Sequence, residues 1–134
     1  MPFVRTSVPH GTTADKKQRI AMAIHEGLVS AISMPQDELF NQICEYNKND
    51  FFYSKSFNGI SRSENFIAVE ITMRRGRSDA MKRNLYADIV KNISETAHID
   101  PRDVFIFLHE NDYSDWSVGN GVFAMTLTQQ RGID

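Results

Sequence analysis

The sequence predicts an α/β (α+β) domain built as a tandem β-α-β repeat, with a four-stranded sheet carrying two helices on one face. Three observations predict it. Strand-like and helix-like segments alternate twice along 134 residues, a pattern that favours βαβ units over segregated helical and strand regions. The two passes also resemble each other at a spacing of 66 residues, as in Pro35 and Pro101, Asp37 and Asp103, Thr6 and Thr72, Lys16 and Lys82, and Ala21 and Ala87, which suggests a duplicated unit. Crossovers between parallel strands are right-handed, so both helices fall on the same face.

The first pass begins with the β-prone stretch Phe3 to Val8, closed by Pro9. His10-Gly11-Thr12-Thr13 then supplies a turn and a hydroxyl that can cap a helix. Ile20, Ile24, Leu28 and Ile32 recur every four residues beside Ala23, Gly27 and Ala31, the apolar stripe of a helix that Met34-Pro35 ends. A second strand holding Cys44 follows, with Cys44 expected as a buried small hydrophobe. The second pass starts at Phe66 to Met73, crosses the turn Arg74-Arg75-Gly76-Arg77, and enters a helix with Ser78 as N-cap and Met81, Leu85, Ile89 and Ile93 as its stripe. Asp100-Pro101-Arg102-Asp103 turns the chain into Val104 to Leu108, five apolar residues in a row, which predicts a central strand covered on both faces. The whole chain, 1–134, thus reads as one domain with pseudo-repeats at about 2–45 and 66–110. The intervening aromatic, Asn- and Ser-rich linker could hold a hairpin at Asn58-Gly59.

Composition narrows the function. Hydrophobic residues make up 41% of the chain, enough for a real core. Lys and Arg number 15 against 17 Asp and Glu, so the net charge of −2 offers nothing to attract nucleic acid or an anionic membrane. A single cysteine rules out an internal disulfide and points to a reducing compartment. No apolar run is long enough to span a bilayer and the first residues lack a signal-peptide plan, so a cytoplasmic protein is expected. His10, His25, His98 and His109 lack metal-ligand spacing, and Gly119-x-Gly121 lacks the rest of a dinucleotide loop. Neither a metal nor an organic cofactor is expected.

Two features carry chemistry. Met1-Pro2 is a start from which initiator methionine is expected to be removed, leaving a secondary amine at Pro2; with Met1 retained, that nitrogen is an amide that does not titrate near neutrality. An α-amino group titrates near about 7.7 to 8.0, within reach of neutral-pH acid and base work. Arg75 and Arg77, placed after a strand and before a capped helix with a glycine between them, are suited to gripping a carboxylate. They are an asymmetry between the halves, since the 66-residue spacing sets them opposite Pro9 and Gly11. Trp116, Phe123 and Met125 are candidates for an apolar pocket wall that would strengthen those charges.

Proline at position 2, the tandem β-α-β repeat, Arg75-x-Arg77-Ser78 before the second helix and Asp115-Trp116-Ser117-x-Gly119-x-Gly121 near the C-terminus together resemble the tautomerase superfamily. More narrowly they resemble its malonate semialdehyde decarboxylase-like branch, and the similarity extends to Pro35-Gln36-Asp37-Glu38 and Pro101-x-Asp103-Val104-Phe105. The resemblance implies a tautomerase-like homotrimer whose active sites surround the N-terminal proline. It assigns catalytic roles to Pro2, Arg75, Arg77 and Glu38, with glutamate where the branch has aspartate and Asp37 as the adjacent alternative. Val118 stands where an aromatic usually follows Trp-Ser, which implies a differently shaped pocket wall. The implied substrate is a small carboxylate-bearing oxo acid, decarboxylated or hydrated through a cationic Pro2. One alternative is keto–enol tautomerisation of a 2-oxo acid such as phenylpyruvate with Pro2 as base. Another, of a different class, is a catalytically weak trimeric binding protein.

Overall fold

A computed structural model of the chain describes residues 2–124. The elements run β1 (Phe3–Pro9), α1 (Ala14–Ile32), β2 (Asn41–Tyr46), β3 (Ile67–Arg74), α2 (Asp79–Ala97) and β4 (Val104–Asn111). They form a four-stranded sheet in the order β2-β1-β3-β4. Each half is a parallel pair, β1 with β2 and β3 with β4, and the halves meet along an antiparallel β1–β3 seam.

Both helices start where a hydroxyl accepts the first orphan N–H. Thr13 accepts from Lys16 N and Ser78 from Met81 N, and each helix ends on a left-handed residue, Ser33 or His98. The predicted stripes are buried: Ile20, Ile24, Leu28 and Ile32 from α1 meet Leu85, Ile89 and Ile93 from α2 over Val4, Val8, Val69, Ile71 and Met73 of the sheet. Gly27 lies where the helices come closest, with Ile89 Cγ1 only 2.6 Å from the place a Cβ would occupy.

The repeat is real in the elements but its period is not 66. Equivalent caps (Thr13 and Ser78), stripe residues (Ile20 and Leu85, Ile24 and Ile89) and inward strand residues (Val4 and Val69, Val8 and Met73) are each 65 apart. The turns alone keep 66, because one more residue separates cap from proline after α2 (His98 to Pro101) than after α1 (Ser33 to Pro35). At a period of 65, Arg75 and Arg77 fall opposite His10 and Thr12.

Three further expectations are corrected. β4 is an edge strand, not a central one. Val104, Ile106 and Leu108 pack on the core, whereas Phe105 and Phe107 stand 41% and 38% exposed on the face away from α1 and α2; a run apolar on both sides here marks a face that stays partly exposed among the described residues. Cys44 is only partly buried. Asn58-Gly59 forms no hairpin but a short 3₁₀ turn with Asn58 in the left-handed region. The linker is held instead by Arg62, whose Nη1 donates to the carbonyls of Ser54, Phe57 and Ile60, and by Tyr53 stacked on Phe66 at 4.4 Å. Buried Asp103 closes it, accepting from Ser63 N at 2.7 Å and Ser63 Oγ at 2.6 Å.

Candidate active site

Alternation along β1 turns Val4, Thr6 and Val8 towards the helices, and Pro2, two residues before Val4, is buried on the same side. It lines a crevice with Ala21, Ile24, His25 and Leu28 of α1 and with Glu38 and Leu39 of the segment leading into β2. That segment is anchored twice by backbone: Glu38 N donates to Pro35 O at 3.1 Å and Val4 N to Phe40 O at 2.9 Å. His25, 3% exposed, adds a side-chain tie, its Nε2–H donating to the Gln36 carbonyl at 2.8 Å. Since the partner is a carbonyl, that nitrogen carries the proton. Nδ1 is buried without a hydrogen-bond partner among the described residues. Glu38 therefore shares the crevice with Pro2, whereas the adjacent Asp37 is exposed and does not line it.

The arginine turn closes on the same end of the sheet. Phe3 pairs with Thr72, so Met73 and Arg74 at the end of β3 run past the start of β1. Gly76, at φ +120°, occupies a conformation that a side chain resists, and lets the chain reverse into α2. Arg77 is half-buried and donates from Nη1 to the Arg74 carbonyl at 3.0 Å. Burial, and then the neighbouring Arg74 charge, push the Arg77 guanidinium below its ordinary pKa, while Tyr113, Glu110 and Glu38 act the other way. Glu38 is thus electrostatically in range of Arg77 as well as beside Pro2.

Arg75 is placed differently. It is exposed, its Nε donates to Asp112 Oδ1 at 2.8 Å, and its backbone N–H donates to Asn111 O at 2.7 Å. Asp112 is itself oriented by Asp115, whose Oδ2 accepts from Asp112 N at 2.9 Å. Arg74 lies with its Cζ 5.0 Å from the Tyr113 ring centroid.

Trp116 is half-buried and donates from Nε1 to Asn111 Oδ1 at 2.7 Å. It opens a small antiparallel excursion in which Ser117 bridges Phe123 and Ala124 N donates to Trp116 O at 3.1 Å. Val118 and Phe123 stand 49% exposed there, and the Pro2 crevice is lined without Trp116, Val118 or Phe123. Met125 lies outside the described residues. Sequence reasoning considered His25 only as a metal ligand and did not single out Arg74. The available signal for His25 was a polar side chain beside the buried stripe, between Ile24 and Leu28. Among the described residues no three His, Cys, Asp or Glu side chains gather as metal ligands, and no helix is long and apolar enough to cross a membrane.

Two tautomerase enzyme family models match, over residues 38–119 and 2–55. The probable tautomerase YusQ of Bacillus subtilis (strain 168) is 32% identical over 121 residues, covering 90% of this chain and 95% of its own length. Among solved structures, a malonate semialdehyde decarboxylase, FG41, inhibited by 3-bromopropiolate superposes with a TM-score of 0.89 at 24% identity, covering 98% of this chain and 99% of that one. A fused 4-OT symmetric trimer superposes with a TM-score of 0.77 at 22% identity, over 93% and 98% of the two chains. With one family model spanning more than half of the residues and a relative at 32% identity matching nearly all of both chains, the protein belongs to the tautomerase family.

Proposed function

We propose that this chain acts on a small β-oxo acid, decarboxylating or hydrating it through a cationic Pro2. The carrying observation is that Pro2 and Glu38 line one crevice while Arg77 lies within range of the Glu38 charge. Removal of Met1 leaves Pro2 as a secondary amine, and a carboxylate beside it favours its charged form. The guanidiniums of the 74–77 turn hold the substrate carboxylate, and the Pro2 ammonium donates to the carbonyl oxygen. As the carbon–carbon bond to the carboxylate breaks, its electron pair moves into an enolate whose oxygen the ammonium stabilises, and carbon dioxide leaves. A proton then returns to the carbanionic carbon. Alternatively, the amine condenses with the aldehyde, losing water, and the iminium accepts the same electron pair. With an unsaturated acid, Glu38 takes a proton from water as the oxygen adds to one carbon of the double bond, and the Pro2 ammonium gives its proton to the other, completing hydration.

A second reading is tautomerisation of a 2-oxo acid such as phenylpyruvate, with neutral Pro2 as base. It is favoured by the apolar crevice wall of Val4, Ile24 and Leu28, which disfavours a charged amine, and by the name of the 32% identical relative. A third is a weakly catalytic trimeric binding protein. Assembly into a homotrimer is part of all three. It is supported by the half-exposed Phe3, Phe105 and Phe107 on the open face of the sheet and by the trimer named for the fused 4-OT neighbour.

Protein carrying no N-terminal tag, assayed in parallel for carbon dioxide release from malonate semialdehyde and for enol–keto conversion of phenylpyruvate, separates the readings. Decarboxylation that Pro2→Ala abolishes and Glu38→Gln lowers supports the first reading. Tautomerisation alone, lost in Pro2→Ala and insensitive to Glu38→Gln, replaces it with the second. Neither activity leaves the binding protein.

A further inference from the structure

Leu39 and Phe40 are the two residues between Glu38 and Asn41, the first residue of β2, and both line the crevice that Pro2 lines. Their backbone is fixed at either end. Glu38 N donates to Pro35 O at 3.1 Å, and Phe40 O accepts from Val4 N at 2.9 Å. Asn41 pairs with Val4, and its Oδ1 accepts from the buried Thr6 Oγ1 at 3.0 Å. The side chains of Leu39 and Phe40, in contrast, stay 43% and 54% exposed.

A single exposed apolar residue is ordinary. Two in succession on an anchored backbone, at the rim of a crevice that holds the proline and a carboxylate, form an apolar step beside the reacting groups. The inner wall continues it, since Val4, Ile24 and Leu28 are buried and apolar. Ligand sites combine these two characters: a few polar groups fix orientation, and apolar walls supply affinity by releasing water. A substrate that ends at its carbonyl carbon, as malonate semialdehyde does, leaves the step in water. An alkyl group on that carbon covers it.

We propose that Leu39 and Phe40 form a specificity-determining lip, and that the substrate is a β-oxo acid carrying an alkyl substituent on its carbonyl carbon. The substituent lies on the lip while the carbonyl faces Pro2. This assignment rests on the reading that Pro2 and Glu38 act on an oxo acid, and its test separates the two.

Untagged wild type, Leu39→Ala, Leu39→Gln and Phe40→Ala are assayed for carbon dioxide release from 3-oxobutanoate and 3-oxohexanoate, ketones of like intrinsic reactivity that differ by two methylenes. Binding of the unreactive butanoate and hexanoate is titrated by NMR on the same proteins, and sedimentation reports assembly. The wild type should favour 3-oxohexanoate in kcat/KM, and hexanoate in affinity, by about tenfold, because each methylene taken from water adds a few-fold. Leu39→Ala and Phe40→Ala should bring both ratios to within about threefold of one. Leu39→Gln keeps the size of the side chain without its apolar end and should do the same, so the test survives a Phe40→Ala chain that does not fold. The proposal is overturned if the wild type treats the two oxo acids alike while turning both over, in which case the decarboxylase reading stands alone. It is equally overturned if the ratios persist in the variants, or if the variants lose assembly with the ratios unchanged, which would make Leu39 and Phe40 contacts between copies. If neither oxo acid is turned over, yet hexanoate outbinds butanoate in the wild type and not in Leu39→Ala, the decarboxylase reading falls and the lip remains. No turnover with no preference for hexanoate removes both.

Discussion

His25 is tied to Gln36 across the gap between α1 and the turn that follows it, its Nε2–H donating to the Gln36 carbonyl at 2.8 Å. Gln36 is two residues before Glu38, and both histidine and glutamate line the Pro2 crevice. The bond therefore fixes the backbone from which Glu38 enters the crevice that Pro2 lines. A misplacement on the scale of 1 Å can cost on the order of a hundredfold in rate.

The first prediction follows from that tie. His25→Leu should lower kcat by about ten- to a hundredfold with a smaller change in KM, because it loosens the turn without touching the arginines. His25→Gln, which can present an N–H near the position of Nε2, should recover most of the loss. Combining His25→Leu with Glu38→Gln should cost little more than the glutamate change alone, since residues acting through one group do not add. Full additivity in steady-state kinetics would show that His25 acts only through stability.

A second prediction concerns the amine. Two influences on Pro2 oppose each other: the apolar wall of Val4, Ile24 and Leu28 disfavours the cation, and the Glu38 carboxylate favours it. If the carboxylate dominates, as the decarboxylase reading requires, ¹⁵N NMR on the processed chain should place the Pro2 midpoint above the ordinary α-amino range of about 7.7 to 8.0. Removing the negative charge in Glu38→Gln must then lower that midpoint. A midpoint already below the range would assign Pro2 as a base and favour tautomerisation.

Much of this was legible from the chain. The caps at Thr13 and Ser78 and both stripes rest on local chemistry, a hydroxyl before a periodic run, whereas Glu38 was singled out only through the family resemblance. What was not legible depends on partners far apart in sequence. Arg75 meets Asp112, 37 residues on, and the stack of Arg74 on Tyr113 spans a similar distance. The edge position of β4 was missed because Phe105 and Phe107 read as core, although among the described residues they stand partly exposed. The 66-residue spacing misled for a related reason: prolines and aspartates of the two turns align visibly, whereas the buried residues that keep 65 are interchangeable Ile, Leu and Val.

Gly27 yields a third prediction, about stability. Alanine improves helix propensity by about 1 kcal/mol at most, but here the added methyl would lie 2.6 Å from Ile89 Cγ1 and 3.2 Å from Ile89 N. A side chain could swing away; the backbone of α2 cannot without separating the helices. Overpacking of this kind costs roughly 1–3 kcal/mol, so the clash outweighs the propensity gain. Gly27→Ala should lower Tm by several degrees and Gly27→Val by more, as read by thermal melts. An unchanged or higher Tm would mean that the helix pair is looser than its geometry implies.

The last prediction is a pH dependence in the linker. Tyr46 donates from its hydroxyl to the Phe66 carbonyl at 2.6 Å, and burial, followed by the Tyr53 and Glu64 charges, pushes its pKa up from 10.0 to about 12. The folded state therefore holds the proton more tightly than the unfolded chain does. Stability from this group is complete below pH 10 and is lost as pH rises towards about 12, because there the unfolded state ionises first. Denaturant titrations between these limits should show stability falling with pH. Tyr46→Phe should start less stable at neutral pH, having lost the bond to Phe66, and should show a shallower alkaline decline. Tyr53, also raised by burial, leaves some slope in that variant, so a decline of identical steepness in wild type and Tyr46→Phe is the result that would assign the alkaline limb to Tyr53 instead.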